Sequence, residues 1–127
     1  MIQIQLPWPS RDLSPNARVH WSKKAKAAKA SKDQAYWLTK EAKAVIDWTG
    51  TIHVMLEFFQ PSRRRMDLDN MLSMQKNALD GIALALGVDD SRFALHLSRA
   101  ENTGGYVVVT IIKEIADKPQ IYVDIPE

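Results

Sequence analysis

Cysteine is absent from this 127-residue chain. That excludes disulfides and thiolate metal sites, so any metal must be held mainly by oxygen or histidine ligands, which favours hard cations. Glycine is scarce at five residues, and no glycine-rich phosphate loop occurs, which leaves a nucleotide-handling enzyme unsupported. No run of eighteen apolar residues exists, and the start MIQIQLPWPS lacks the basic-then-apolar order of a signal peptide. A cytoplasmic location without a membrane partner is therefore expected. Nor is there an internal repeat, a low-complexity tract or a linker. One domain over 1–127 is expected, with the tail at 114–127 peripheral.

Apolar residues make up 46% of the chain and charged residues 25%, the balance of a chain that folds around a core. The net charge of +2 hides an asymmetry. Residues 1–65 carry twelve Lys/Arg against five Asp/Glu, whereas 66–127 carry five against ten. The positive half suggests a polyanionic partner, and the negative half holds most of the carboxylates. Proteins that cut nucleic acid need both. A lysine-rich helix that is simply a solvated face is the plainer reading.

Ile2, Ile4 and Leu6 alternate with Gln3 and Gln5 as a strand with one buried face, ended by Pro7 and Pro9. After the loop SRDLSPNARVHW, Ser22 is placed to cap a long Ala- and Lys-rich helix over Lys23 to Asp47. Leu38, Ala42, Val45 and Ile46 form its core-facing stripe, and lysines crowd its first half. TIHVMLEFF alternates as a second strand. The recurrence of Leu68, Leu72, Leu79, Ile82 and Leu86 predicts an amphipathic helix closed by Gly87. Phe93, Leu95 and Leu97, the turn ENTGG and the apolar run YVVVTII predict a hairpin whose second strand is interior. The tail offers either a last short strand at Ile121 to Val123 or a surface segment. These elements predict an α+β fold, a single small domain with a mixed sheet of about four strands packed against two main helices.

Between the second strand and the second helix lies RRRMDLDN, residues 63–70. In extended chain, residues i and i+2 point the same way, so Asp67 and Asp69 can converge on one cation. Lys76 and Asp80 return to the angular position of Asp69 and make a polar stripe beside the apolar one. Asp89 and Asp90 follow the helix. A helix of about twenty residues spans roughly 30 Å, so this pair joins Asp67 only if the helix is shorter, breaks near Gly81, or the chain doubles back. An EF-hand loop fails because Met71 and Leu72 stand at its fifth and sixth positions, and a phosphatase DxDxT fails because Met71 replaces the threonine. Arg63, Arg64 and Arg65 are natural phosphate clamps. The plainer readings are carboxylates that favour the helix N-terminus, arginines that pair with Asp67 and Asp69, and an i,i+4 pair of Lys76 with Asp80. His20 and Trp21 either stack on an exposed base or pack the loop. Trp8, Trp37 and Trp48 read as core or dimer-contact aromatics, and His53 is assigned no role.

RRRMDLDN, followed by QKNALDGI and GVDDSRF and preceded by LPWP, resembles the RusA-type Holliday-junction resolvases, small magnesium-dependent endonucleases of phages and prophages. The likeness covers nearly the whole domain and is strongest from Arg63 to Phe93. It implies Asp67, Asp69 and Asp90 as metal ligands, with Asp89 as the alternative to Asp90, and Lys76 as the basic residue needed for cleavage. The metal would be magnesium, or manganese in its place. A homodimer would nick two opposed strands of a four-way DNA junction by phosphodiester hydrolysis, in the cytoplasm of a bacterial host. Arg18, Lys23, Lys24 and Arg63 to Arg65 would grip the DNA backbone. One departure is that Lys76 stands three residues further along than the family spacing, where Ser73 stands here. The competing class is a non-catalytic branched-DNA-binding protein whose acids cap a helix and balance the arginines.

Overall fold

Ile4 and Leu6, then Val54, Leu56 and Phe58, then Val107, Val109 and Ile111 are all buried, every second residue of their segments. Period-two burial of this kind makes a sheet with one face against a core. The computed structural model describes residues 1–115, and the expected strand at Ile121 to Val123 lies outside them. The strands are β1 (Ile2–Pro7), β2 (Ile52–Phe59), β3 (Phe93–Arg99) and β4 (Tyr106–Ile112), in the order β1-β4-β2-β3. β4 runs antiparallel to both its neighbours, and β3 runs parallel to β2. Two helices, α1 (Trp21–Glu41) and α2 (Leu68–Leu86), complete the domain. Ala35 of α1 and Met71, Ala78, Leu79 and Ile82 of α2 share one core cluster with the inward strand residues. The α+β fold with a mixed four-stranded sheet and two helices is therefore the observed one. No helix among the described residues is long and apolar enough to cross a membrane.

The expected hairpin of β3 with β4 does not form. β3 pairs with β2 through a parallel register, Ile52 opposite Phe93 to Phe58 opposite Arg99, and α2 is the crossover that such a parallel pair requires. The loop after β3 is tied across the end of β2 by Ala100 N–H to Phe58 O at 2.9 Å and Gly105 N–H to Phe59 O at 2.7 Å. β4 then enters between β1 and β2. Alternation specifies which residues face inward but carries no information on which strand lies alongside.

α1 also differs from expectation. It starts two residues early because the His20 ring, not Ser22, caps it by accepting the Ser22 N–H at 3.2 Å. It stops at Glu41 with Ala42 as C-cap and Lys43 in the left-handed region at φ 54°. Val45 is 70% exposed, whereas Ile46 and Trp48 fold back onto the core. Continuing the helix to Asp47 would carry those two apolar residues past the end of their layer. Arg92 fixes the return by donating to the carbonyls of Trp48 at 2.6 Å and Gly50 at 2.8 Å. The expected stripe of Leu38, Ala42, Val45 and Ile46 is thus split between a helix and a returning loop. On the sheet's opposite face, His53 lies against His96 with ring nitrogens 3.0 Å apart.

Candidate functional site

The sheet register gathers the candidate residues at one end. Pro7 and Phe59 both flank Tyr106, and Phe58 flanks Arg99, so the loops after β1, β2 and β3 leave the sheet together. α2 begins here, and Lys23 and Lys26 near the start of α1 line a pocket with Trp8 and Pro9 of the β1 loop. Backbone N–H groups at helix starts favour anions.

Asp67 is the N-cap residue of α2 in extended conformation (φ −68°, ψ 140°), but its carboxylate makes no capping hydrogen bond. Asp69 lies in the first turn, and both are exposed. Neither is paired with Arg63, Arg64 or Arg65: among the described residues the only ion pair joins Lys29 and Asp33, 2.6 Å apart. Lys76 and Asp80 do not pair either, although both are exposed on the Asp69 stripe. These two acids are therefore spent neither on a side-chain cap nor on the arginines. Two unengaged carboxylates two residues apart fit a hard cation that keeps part of its shell for water or phosphate.

Beside them, Arg63, Arg65 and Arg99 line an open hollow of about 660 Å³ with Gln60, Glu101 and Asn102. Arg99 also donates twice to the Met66 carbonyl, at 2.8 and 3.3 Å. It pins the arginine loop to β3 one residue before Asp67. Sequence reasoning missed Arg99, because nothing in its neighbourhood marks it until β3 is laid parallel to β2. Arg64 is exposed on the same loop, whose turn is closed by Gln60 Nε2 donating to Arg64 O at 2.6 Å.

Asp89 and Asp90 stand elsewhere. α2 is unbroken through Gly81 over 19 residues, about 28 Å, and Arg92 holds the following turn against Gly50, at the opposite end of the sheet. Asp89 caps the 3-10 turn Asp90–Arg92 by accepting the Ser91 N–H at 2.8 Å. That bond, the Ser91 hydroxyl and, to a lesser degree, the Asp90 side chain hold its carboxyl below the ordinary carboxylate range. Within one chain, then, Asp67 and Asp69 stand at the N-cap and in the first turn of α2, and Asp89 and Asp90 lie beyond its other end and do not join them. Among the described residues no three His, Asp or Glu side chains meet in a metal-holding group.

Of the remaining candidates, Arg18, Lys23 and Lys24 are exposed around the start of α1. Trp21 is 75% exposed and lies 5.5 Å from the His20 ring, so it does not pack the loop against the sheet. Trp8 and Trp48 do pack on the core, and Trp37 is 65% exposed. A further polar group stands out on the inward side of α2: Gln75 is 1% exposed, and its Nε2 has no hydrogen-bond partner. An unsatisfied buried amide costs about 1–3 kcal/mol.

An uncharacterized protein of Xylella fastidiosa (strain Temecula1 / ATCC 700964) is 41% identical over 120 residues, covering 87% of this chain and 76% of the relative. The chain belongs to that protein's family. No family model matches it.

Proposed function

We propose that the chain is a magnesium-dependent, structure-specific endodeoxyribonuclease that resolves four-way DNA junctions as a homodimer, a RusA-type resolvase. The observation that carries the reading is that the unengaged Asp67 and Asp69 follow directly on Met66, whose carbonyl is held by Arg99, and that Arg99 lines a hollow with Arg63 and Arg65. Carboxylates to hold a cation and guanidinium forks to hold phosphate are what phosphodiester hydrolysis requires side by side. When bound, magnesium, or manganese in its place, would neutralise charge on the scissile phosphate and lower the pKa of water. Asp67 and Asp69 would hold it. Arg63, Arg65 and Arg99 orient the backbone, and Lys76, exposed on the Asp69 stripe, faces the phosphate from one side. Arg18, Lys23, Lys24 and the exposed Trp21 extend the grip along the strand.

Asp90, or Asp89 in its place, reaches this site only from a second copy, because α2 holds the two acidic pairs about 28 Å apart. Asp90 is the better third ligand, since Asp89 is committed to its cap. The same separation favours the second reading, a branched-DNA-binding protein without catalysis. Magnesium-dependent nicking of a synthetic four-way junction, beside a linear duplex of the same sequence, separates the two. The nuclease nicks the junction, and Asp69→Asn retains or tightens binding while losing nicking. Unchanged nicking by that variant removes the metal role of Asp69, and no nicking by the unaltered protein at any magnesium or manganese concentration leaves the binder.

A further inference from the structure

We infer that the pocket enclosed by the β1 loop, α1 and α2 takes one unstacked nucleobase of the DNA, with Gln75 bonding its edge and Lys23 and Lys26 holding the adjoining phosphate. This rests on the DNA-handling reading above.

The pocket has a volume of about 570 Å³, within the range of about 300–1,000 Å³ found for small-molecule sites. Its lining includes Trp8, Asp12, Lys23, Lys26, Gln34 and Gln75. Gln75 decides its chemistry. The residues around it on α2, Met71, Met74, Ala78 and Leu79, are buried and apolar, and an amide among them breaks the pattern of a core-facing helix. Gln75 lines the pocket and its Nε2 is buried without a protein partner, so a small turn of the side chain toward the pocket would give its N–H donors an occupant's acceptors to bond. Lys23 and Lys26 stand exposed and without ion pairs at the other side.

An occupant must therefore be flat or small, carry acceptors at its deep edge, and bear a negative charge outside. A nucleobase with its phosphate has that order of groups. Trp8 supplies an aromatic wall, its backbone N–H donating to Gly105 O at 3.2 Å and its ring edge-on to Phe58 at 6.2 Å between centroids. The Asp12 carboxylate and the Gln34 amide can accept an exocyclic amine. Bases in an intact duplex are stacked and paired, so entry is open to those at a branch point, where unstacking is least costly. Gln75 lies six residues beyond Asp69 on the same helix, a rise of about 9 Å with a turn of about 240° around the axis, so a strand occupying both sites has to wrap past the start of α2. The pocket would then select branched DNA over linear duplex by demanding a free base.

The test uses the full chain with calcium in place of magnesium and a four-way junction carrying 2-aminopurine at the branch, beside the same probe in a linear duplex. Binding changes the probe's fluorescence on the junction only. Gln75→Met abolishes that change and weakens junction binding about tenfold, the loss of one buried hydrogen bond, with duplex binding unaltered and thermal unfolding no lower. Lys23→Ala with Lys26→Ala lowers the salt slope of junction binding by about two. A junction signal and affinity that are the same in Gln75→Met as in the unaltered protein overturn the pocket, even if magnesium-dependent nicking is intact. Nicking absent with the Gln75-dependent signal present overturns the nuclease and leaves the pocket standing. A free nucleoside monophosphate that binds in a Gln75-dependent way while the junction probe is silent moves the site from DNA to free nucleotide, and no binding to any DNA removes both readings.

Discussion

Arg99 joins a structural contact to a place in the hollow proposed to hold phosphate. Its guanidinium closes on the Met66 carbonyl and lines the hollow beside Asp67. Arg99→Ala should lower stability by about 1–3 kcal/mol by stranding that carbonyl, and should also weaken DNA binding, as read by denaturant unfolding and a salt titration of affinity. Arg64→Ala, on an exposed side chain of the same loop, should stay within about 0.5 kcal/mol in stability. If the two variants unfold alike, the clamp contributes nothing. Asp67 and Asp69 stood out as candidates in RRRMDLDN, because spacing and charge are local properties. Arg99 and Gln75 did not: one acts through a strand pairing, and the other is an ordinary polar residue until the pocket behind it is formed.

Among the elements, α2 carries the most. Its apolar recurrence predicted a helix from about Leu68 to Leu86, as observed, and Gly87 closes it in the left-handed region at φ 70°. Gly81 does not break the helix. A Cβ there would drive into the Lys32 carbonyl of α1 and sit 3.1 Å from the Tyr36 amide nitrogen. The glycine lets two helix backbones approach, which is a packing requirement that helix propensity alone would not select. Gly81→Ala should therefore destabilise by about 1–3 kcal/mol despite alanine's better helix propensity. A denaturation midpoint at or above that of the unaltered protein would show that the helices separate without cost. α1 was expected from Lys23 to Asp47 and runs from Trp21 to Glu41, so its start was off by two residues and its end by six. Ala42 to Asp47 has helical propensity, but Ile46 and Trp48 gain more by returning to the core.

For the whole molecule, the fold mixes the two charge halves of the sequence at one end of the sheet. Arg63 to Arg65, Arg99 and the start of α1 gather with Asp67 and Asp69 at one end of the sheet, and Asp89 and Asp90 lie at the other. If Asp90 completes the site only from a second copy, Asp90→Asn and an Asp67→Asn/Asp69→Asn double variant should each be inactive alone. Mixed after subunit exchange, they should regain nicking, because one of the two sites in the mixed dimer has all three carboxylates. Recovery should approach half the unaltered rate per mixed dimer in a single-turnover nicking assay. A mixture as inactive as its components means that no site is shared between copies.

The sequence by itself determined the strands' inward faces and the approximate extent of α2, because periodicity is written in neighbouring residues. Only the tertiary structure decided that β3 lies parallel to β2, that β4 is inserted between β1 and β2, and that the two acidic pairs stand at opposite ends. Those outcomes depend on which surfaces bury most area together. RRRMDLDN reads as a site in the sequence, but the hollow of Arg99 and the pocket of Gln75 exist only once the loops after β1, β2 and β3 leave the sheet side by side.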